Sequence, residues 1–459
     1  MNQFLNTIKN IWKTEELRRK ISITLFLLLV YRFGAYVPLA GIDPQEISNF
    51  IDKVNPGAKG LMQILSSFTG GAFNRASILA LGIMPYISAS IVVQLMCLAL
   101  PYLQKIQKEG ESGRKQINRI TRWLTIGICM VQAPAYLTML TTKFLPFSSV
   151  PQAYLLDITT SGGRVLFWAI SVLLLTVGTL FSLWLGEKIT DKGIGNGISL
   201  IIMAGIIARF PESIIMEIRN RLEVGNGGLI FLFLESMVWL LVILFSILII
   251  QAVRKVPLQY VRHTQGNTSN YIRSVKQSAR QYIPLKVTAA GVMPIIFAQA
   301  IMLLPAGLLT YVGNEKLQTF GKVFEDIYGF WYNLVFATLI ILFTFFYTAI
   351  TIPVNQMADD LKRNEAHIPK IKPGKDTADF LDNILSRITL PGSILLAIIA
   401  ILPSVTIKFG VTQGFALFYG GTSLLIIVGV VLDTAQQINA YLLNRHYDGL
   451  MQGKRAIKK

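Results

Sequence analysis

The sequence predicts an all-α polytopic membrane protein of ten transmembrane helices in two inverted five-helix halves. Three observations carry this. Apolar runs of about 18 residues or more, enough to cross a hydrocarbon core, recur with almost no charge inside them. Basic residues collect in every second connection. Charged residues make up 15% of the chain, where a soluble domain carries about 25%.

The runs lie at 21–38, 76–100, 123–142, 165–186, 229–250, 287–312, 331–354, 388–407 and 411–432, and the shorter Gly-rich segment 194–210 makes ten. The first follows a polar, basic tail (1–20) and has no small-residue cleavage pattern after it, so it reads as a span rather than a removable signal. Lys and Arg number five in that tail, six in 101–122, seven in 251–286, six in 355–387 and five in 434–459. The connections near 39–59, 143–164, 209–227, 313–330 and 408 are sparse in them or balanced by acids. Cytoplasmic loops hold the positive excess, so both termini and every basic loop are expected there. Five is odd, so a second half built like the first must lie upside down, as in many transport proteins. The first half is then 21–210, an external loop with span six 211–250, a basic loop 251–286, and spans seven and eight 287–354. A second loop fills 355–387, spans nine and ten 388–433, and a tail 434–459.

Residues 60–95 are the least regular. Leu61, Met62, Ile64, Leu65 and Phe68 fall on one helical face of a segment too short to span. Gly70 and Gly71 follow, and an apolar helix that carries Pro85 is expected from about Ala76, a core helix with a proline kink being the plainer reading. Backbone that enters a membrane without completing a helix must be buried in protein or line an aqueous cavity. Glycine accepts backbone angles that other residues resist, so 60–74 is able to swing.

The spans lack chemistry. Arg32 and Glu235 are the ionisable residues inside them, both toward the outer ends. Interface anchoring or one structural pair explains them better than a transported charge. His263, His367 and His446 fall in cytoplasmic segments. No Ser/His, Asp/Asp or metal-ligand cluster lies in a span and no GxxxxGK[ST] loop is present, so neither an enzyme nor a cofactor is expected. The GxG within 192–197 follows no strand and reads as a flexible membrane entry. Cys97 and Cys129 read as small core hydrophobes. A secondary transporter with a five-plus-five fold is the alternative, but it needs an ionisable group near the midplane. A purely structural scaffold would leave the half-helix unexplained.

The 251–286 loop carries Arg254, Lys255, Arg262, Arg273, Lys276, Arg280 and Lys286 and no acid, while 355–387 mixes six basic with six acidic residues. Orientation alone accounts for part of this. The functional reading is a docking surface for RNA, an acidic protein face or lipid headgroups.

Several long motifs are more specific. VYRFGAYVPLAGID (30–43), LALGIMPYISASIVVQL (79–95), KEGESGR (108–114), LGEKITDKGIGNGISLIIMAGI (185–206), PLKVTAAGVMPIIFA (284–298), PVNQMADDLK (353–362) and FYGGTSLLIIVGVVLD (418–433) resemble, in order, the SecY family, the channel subunits of the bacterial protein-export translocon. The resemblance implies a clamshell around an hourglass pore in the cell inner membrane. Unfolded secretory proteins would pass through it, and transmembrane helices would leave sideways into lipid.

Carried over residue by residue, the pore ring is Ile83, Ile87, Ile194, Ile198, Ile296 and Ile426, and the plug is 60–74 with Leu61, Ile64, Leu65, Phe68, Gly70 and Gly71. The lateral gate lies between spans 2–3 and 7–8, with Ser88 and Gln94 on one side and Thr288 where the family has an amide. Docking falls to Arg254, Lys255, Arg262, Lys370 and Lys372, the last an arginine in most of the family. The first docking loop is longer and less densely basic at its tip than usual. The implied partners are the small subunits SecE and SecG, the motor ATPase SecA, the ribosome through rRNA and ribosomal proteins, signal sequences and nascent chains, the bilayer, and further out SecDF and YidC. The physics agrees: β-branched apolar side chains bind no passing segment strongly and exclude water when closed. Ile83/Ile87 and Ile194/Ile198 are i, i+4 pairs and are expected to share helix faces, although such pairs alone are more often core packing.

Overall fold

The structure, a computed structural model, describes residues 14–42, 66, 68–141, 161–223, 228–260, 281–288, 291–309 and 327–456. The elements in chain order are α1 (Glu15–Gly34), α2 (Met84–Ala99), α3 (Pro101–Lys108), α4 (Glu111–Met139), α5 (Ser161–Lys192), α6 (Gly197–Leu222), α7 (Gly228–Gln251), β1 (Val253–Tyr260), β2 (Gln281–Lys286), α8 (Met293–Leu309), α9 (Phe330–Thr351), α10 (Val354–Arg363), β3 (Ala366–His367), α11 (Lys375–Lys408), α12 (Gln413–Tyr419) and α13 (Gly421–Ala456). A helix stands at each expected span: α1, α2, α4, α5 and α6 in the first half, α7, α8, α9, α11 and α13 in the second. Among the described residues, six helices taken alone are long and apolar enough to cross a membrane.

Threonine side chains inside these apolar helices find acceptors one turn back. Thr125 donates to Thr121 O at 2.7 Å, Thr344 to Ile340 O at 2.6 Å and Thr348 to Thr344 O at 2.7 Å, so each crosses a dry interior without an orphan donor.

Four boundaries differ from expectation. The second span begins at Met84, not Ala76, and Pro85 sits in its first turn, where a missing N–H costs nothing; it starts the helix rather than kinking it. The 101–122 connection is mostly helical: α3 buries Leu103 and Ile106 against Val93 and Cys97, and lies at 103° to α2. The 209–227 connection is helical as far as Leu222. The run 411–432 is divided between α12 and α13, because the chain presses against α11 there: a Cβ on Gly420 would lie 2.5 Å from Ile399 O.

The basic loops are a second departure. β1 and β2 pair antiparallel from Val253↔Lys286 to Leu258↔Gln281, and β3 pairs with Gln259 and Tyr260, giving the order β2-β1-β3. Val256 is buried between exposed Lys255 and Pro257, the alternation of a strand with one covered face. Val256, Leu285, Ile368, Leu381 and Leu385 form one core beneath it. The two loops are therefore a single body seated on α11. Residues 261–280, including Arg262, lie outside the described residues.

The main core is apolar and common to both halves. It gathers Tyr31, Ile83, Ile87, Ile189 and Ile201 with Ile295, Ile340, Ile399 and Ile426.

Leu381 is 1% exposed in the core under the sheet. Leu381→Ala should cost roughly 2–5 kcal/mol of local stability and make both basic loops more susceptible to limited proteolysis together; loops cut independently at the parent rates would contradict a shared body.

Candidate functional site: an apolar waist, its plug and its seam

Ile83 ends the turn that leads into α2, and the Ile87 N–H donates to its carbonyl at 3.0 Å, so the two share a face. Both are buried, as is Ile426 on α13, while half-buried Ile198 on α6 and Ile296 on α8 pack against the same cluster. Ile194 does not join them. It lies in the reversal between α5 and α6, before the helix cap, and its N–H donates to Thr24 Oγ1 of α1 at 3.1 Å. Ile194 and Ile198 therefore share no helix face. Ile202, one turn beyond Ile198, is buried in the cluster instead.

The glycines around this reversal have local work. Gly195 adopts φ +83°, and the Asn196 side chain caps α6 by accepting from Ile198 N (3.1 Å) and Ser199 N (3.4 Å). Thr190 Oγ1 accepts from Gly197 N at 2.9 Å. The GxG run is thus a helix-to-helix turn.

Of the expected plug residues, Leu61, Ile64 and Leu65 lie outside the described residues. Phe68, Gly70 and Gly71 are buried, with φ +65° at Gly70 and +89° at Gly71. The turns from 69 to 83 are enclosed by protein, as non-helical backbone in a membrane must be. Leu39 N donates to Ala76 O (2.8 Å) and Ile78 N to Val37 O (3.0 Å), stitching the segment to the chain after α1. Tyr136 Oη donates to Phe73 O at 2.9 Å. On the other side α6 comes within backbone contact: a Cβ on Gly205 would lie 2.8 Å from Phe68 O, and one on Gly70 2.9 Å from the Gly205 Cα.

Both ionisable span residues have partners within the protein. Arg32 reaches inward, donating from Nη1 to Gly70 O at 3.0 Å. Glu235 forms a structural pair with Arg221 at 3.2 Å, and Arg221 also contacts Glu217 at 3.1 Å. Glu217 accepts from Thr412 N at 2.8 Å, so the group ties α6, α7 and the entry to α12. Glu217 and Arg221 escape the sequence reading because hydropathy shows their segment as a loop.

At the seam between the halves, Gln94 on α2 accepts from Tyr347 Oη on α9 at 2.8 Å and donates to Ser90 Oγ at 3.2 Å. Phe297 of α8 meets the Tyr347 ring edge-on at 5.3 Å. Ser88 is half-buried on α2. Thr288 is buried in the turn after β2, where its carbonyl accepts from Gly291 N at 2.9 Å.

Arg254 and Lys255 are exposed on β1, with Lys255 Nζ 4.7 Å from the centre of the Tyr282 ring. Lys370 and Lys372 are exposed in a tight turn. Lys370 has φ +68° and Gly374 φ +108°, and Thr377 Oγ1 clamps the turn by donating to Lys372 O at 2.8 Å.

A SecY family model matches residues 77–435. The chain belongs to the SecY family. It is 37% identical to the protein translocase subunit SecY of Chlamydia muridarum over 98% of both chains. It is 36% identical to that of Aquifex aeolicus over 96% of this chain and 98% of the relative. A solved structure described as that of a protein conducting channel superposes over 92% of each chain, with a TM-score of 0.58 at 16% identity. The chain therefore has the SecY fold.

Among the positions that the SecY resemblance implies, the waist isoleucines other than Ile194 converge, and Gln94 has its partner across the seam. Ile202 was within reach of sequence, since the i, i+4 rule applied from Ile198 finds it. Tyr347 was not: it lies in an aromatic-rich span where a lipid-facing ring looks the same.

Tyr347→Phe removes the bond between α2 and α9 while keeping the ring. The seam should loosen by about 1 kcal/mol, read as faster hydrogen exchange in α2 and α9 of the purified protein; parent-like exchange in both helices would show that the bond does not hold the seam.

Proposed function

We propose that this SecY-family chain is the passive pore of a protein translocon, conducting unfolded polypeptides across the membrane and releasing apolar helices into lipid. One observation carries the reading: an isoleucine waist common to both halves, with an enclosed non-helical segment packed beside it. A pore for arbitrary sequences cannot recognise side chains by hydrogen bonds, and an apolar constriction closes by dewetting. Among the described residues the buried acids are Glu217 and Glu235, and both are paired with Arg221 at the far end of α6 rather than beside the isoleucines, which favours a channel over an ion-coupled transporter.

In this reading the seal is Ile83, Ile87, Ile198, Ile202, Ile296 and Ile426. Residues 60–74 are the plug, and the α2/α8–α9 seam around Ser88, Gln94 and Tyr347 is the lateral exit, with Thr288 behind it. The chain works as a multi-pass protein of the cell inner membrane with cytoplasmic termini, and it is not itself an enzyme. SecE and SecG are its small subunits. SecA and the ribosome supply the driving force, docking on the sheet-borne surface of Arg254, Lys255, Lys370 and Lys372, with Arg262 in the adjoining tip. Signal sequences and nascent chains are its ligands, with SecDF and YidC as associates.

Two measurements test this. Replacing Ile87 and Ile198 together by Gly should raise resting ion conductance in planar bilayers, and conductance at the parent level would remove these residues from the seal. Lysine acts as a compact point charge where arginine offers a planar fork, so Lys372→Arg should be tolerated. Lys372→Glu should weaken SecA and ribosome binding by roughly 5–150-fold, the effect of losing a charged contact of about 1–3 kcal/mol; equal binding by parent and Glu variant would move docking to the 251–286 loop.

A further inference from the structure

We propose that Arg32 is a positioning residue that retains the plug in its closed seat. The inference rests on the plug reading and adds to it the side chain that holds the segment. Arg32 sits in the last turn of α1. From there its guanidinium forks: Nη1 donates to Gly70 O at 3.0 Å, and Nη2 donates to Tyr36 Oη at 3.4 Å. The Tyr36 ring in turn lies under the Arg75 guanidinium at 4.2 Å. Arg32 and Arg75 have no carboxylate within salt-bridge distance among the described residues. The Gly70 carbonyl is thus the strongest acceptor that Arg32 has there.

The seat has the character of something held rather than locked. Gly70 is in the left-handed region and its backbone lies directly on that of Gly205, a contact of glycine against glycine with no side chain to interdigitate. Ser66 Oγ, Asn74 Oδ1 and Arg75 Nη1 are buried with no hydrogen-bond partner among the described residues. Each unsatisfied group disfavours the seated state, and displacement into water would relieve it. By contrast, residues 76–78 are tied by backbone hydrogen bonds to the chain after α1 and stay behind. The charge-assisted bond at Gly70 offsets the strain of the seat just upstream of this fixed point. It is one side-chain bond from half-buried Arg32 to buried Gly70, so the carbonyl is orphaned while the segment stays seated and regains a partner in water when the segment leaves. Lysine at position 32 would keep the charge but not the fork, and so could not hold Gly70 and Tyr36 together.

The test uses the reconstituted channel in planar bilayers with four forms: parent, Arg32→Lys, deletion of 62–70, and both changes together. Arg32→Lys should raise the frequency of resting openings roughly ten-fold, the low end of what losing a hydrogen bond to a charged donor gives. The deletion should leak more, and adding Arg32→Lys to it should change nothing, because the group that Arg32 holds is gone. Melting temperature in detergent accompanies each form, and Arg32→Lys should match the parent. Parent-level openings in Arg32→Lys beside a leaky deletion would overturn the retaining role and leave the plug reading standing. Further leak on combining the two changes would show that Arg32 supports the fold generally, and also overturns the proposal. A deletion that folds and does not leak would remove the plug reading itself.

Discussion

A bilayer interior gives an unpaired backbone group nothing to bond with, and the packing of this chain follows from how its irregular segments at 69–83, 193–196 and 420 are tied to other elements. The chain around 76–78 borrows backbone partners from 37–39. The reversal at 193–196 takes a hydroxyl from α1, an amide cap from Asn196 and the Gln437 side chain of α13, which accepts from Gly195 N at 3.0 Å. The break at 420 lies on α11 so closely that only glycine fits. These ties join elements far apart in sequence, and they bring α2, α6, α8 and α13 to one apolar centre.

That centre is built from side chains that make no directional bonds, while the polar groups are kept to its margins. Gln94 and Tyr347 meet at the seam between the halves. The Glu217–Arg221–Glu235 group closes the far end of α6 against α7 and α12. The division is physically consistent. A buried hydrogen bond holds two surfaces in one arrangement and would suit the proposed lateral exit, whereas the proposed seal, which would have to stretch around any sequence, gains from having none. Arg32 differs from these polar groups in that its partner is a backbone carbonyl, that of Gly70 in the segment proposed as the plug.

On the basic side, the strands turn two separate loops into one platform. Charges that orientation alone would scatter are held at fixed spacing: Arg254 and Lys255 by the ladder of β1, Lys372 by a turn clamped through Thr377. A preordered surface loses less conformational entropy on binding than a free loop does.

By itself the sequence determined the class, a helix at each of the ten apolar runs and the family. These depend on hydropathy and on motifs contiguous along the chain. It also marked Gly70, Gly71 and Gln94 without showing what they touch. Tertiary structure decided what depends on neighbours far apart in sequence. Pro85 begins a helix because the preceding turns pack on the chain after α1. Ile194 lies outside helix α6 because the cap at Asn196 starts that helix beyond it. Arg32 and Glu235, alike in sequence as lone charges near span ends, part company because one finds a backbone carbonyl and the other an arginine. The period of a helix says which residues share a face, but where the helix starts, and so which face looks inward, is set by the partners that satisfy its first turn.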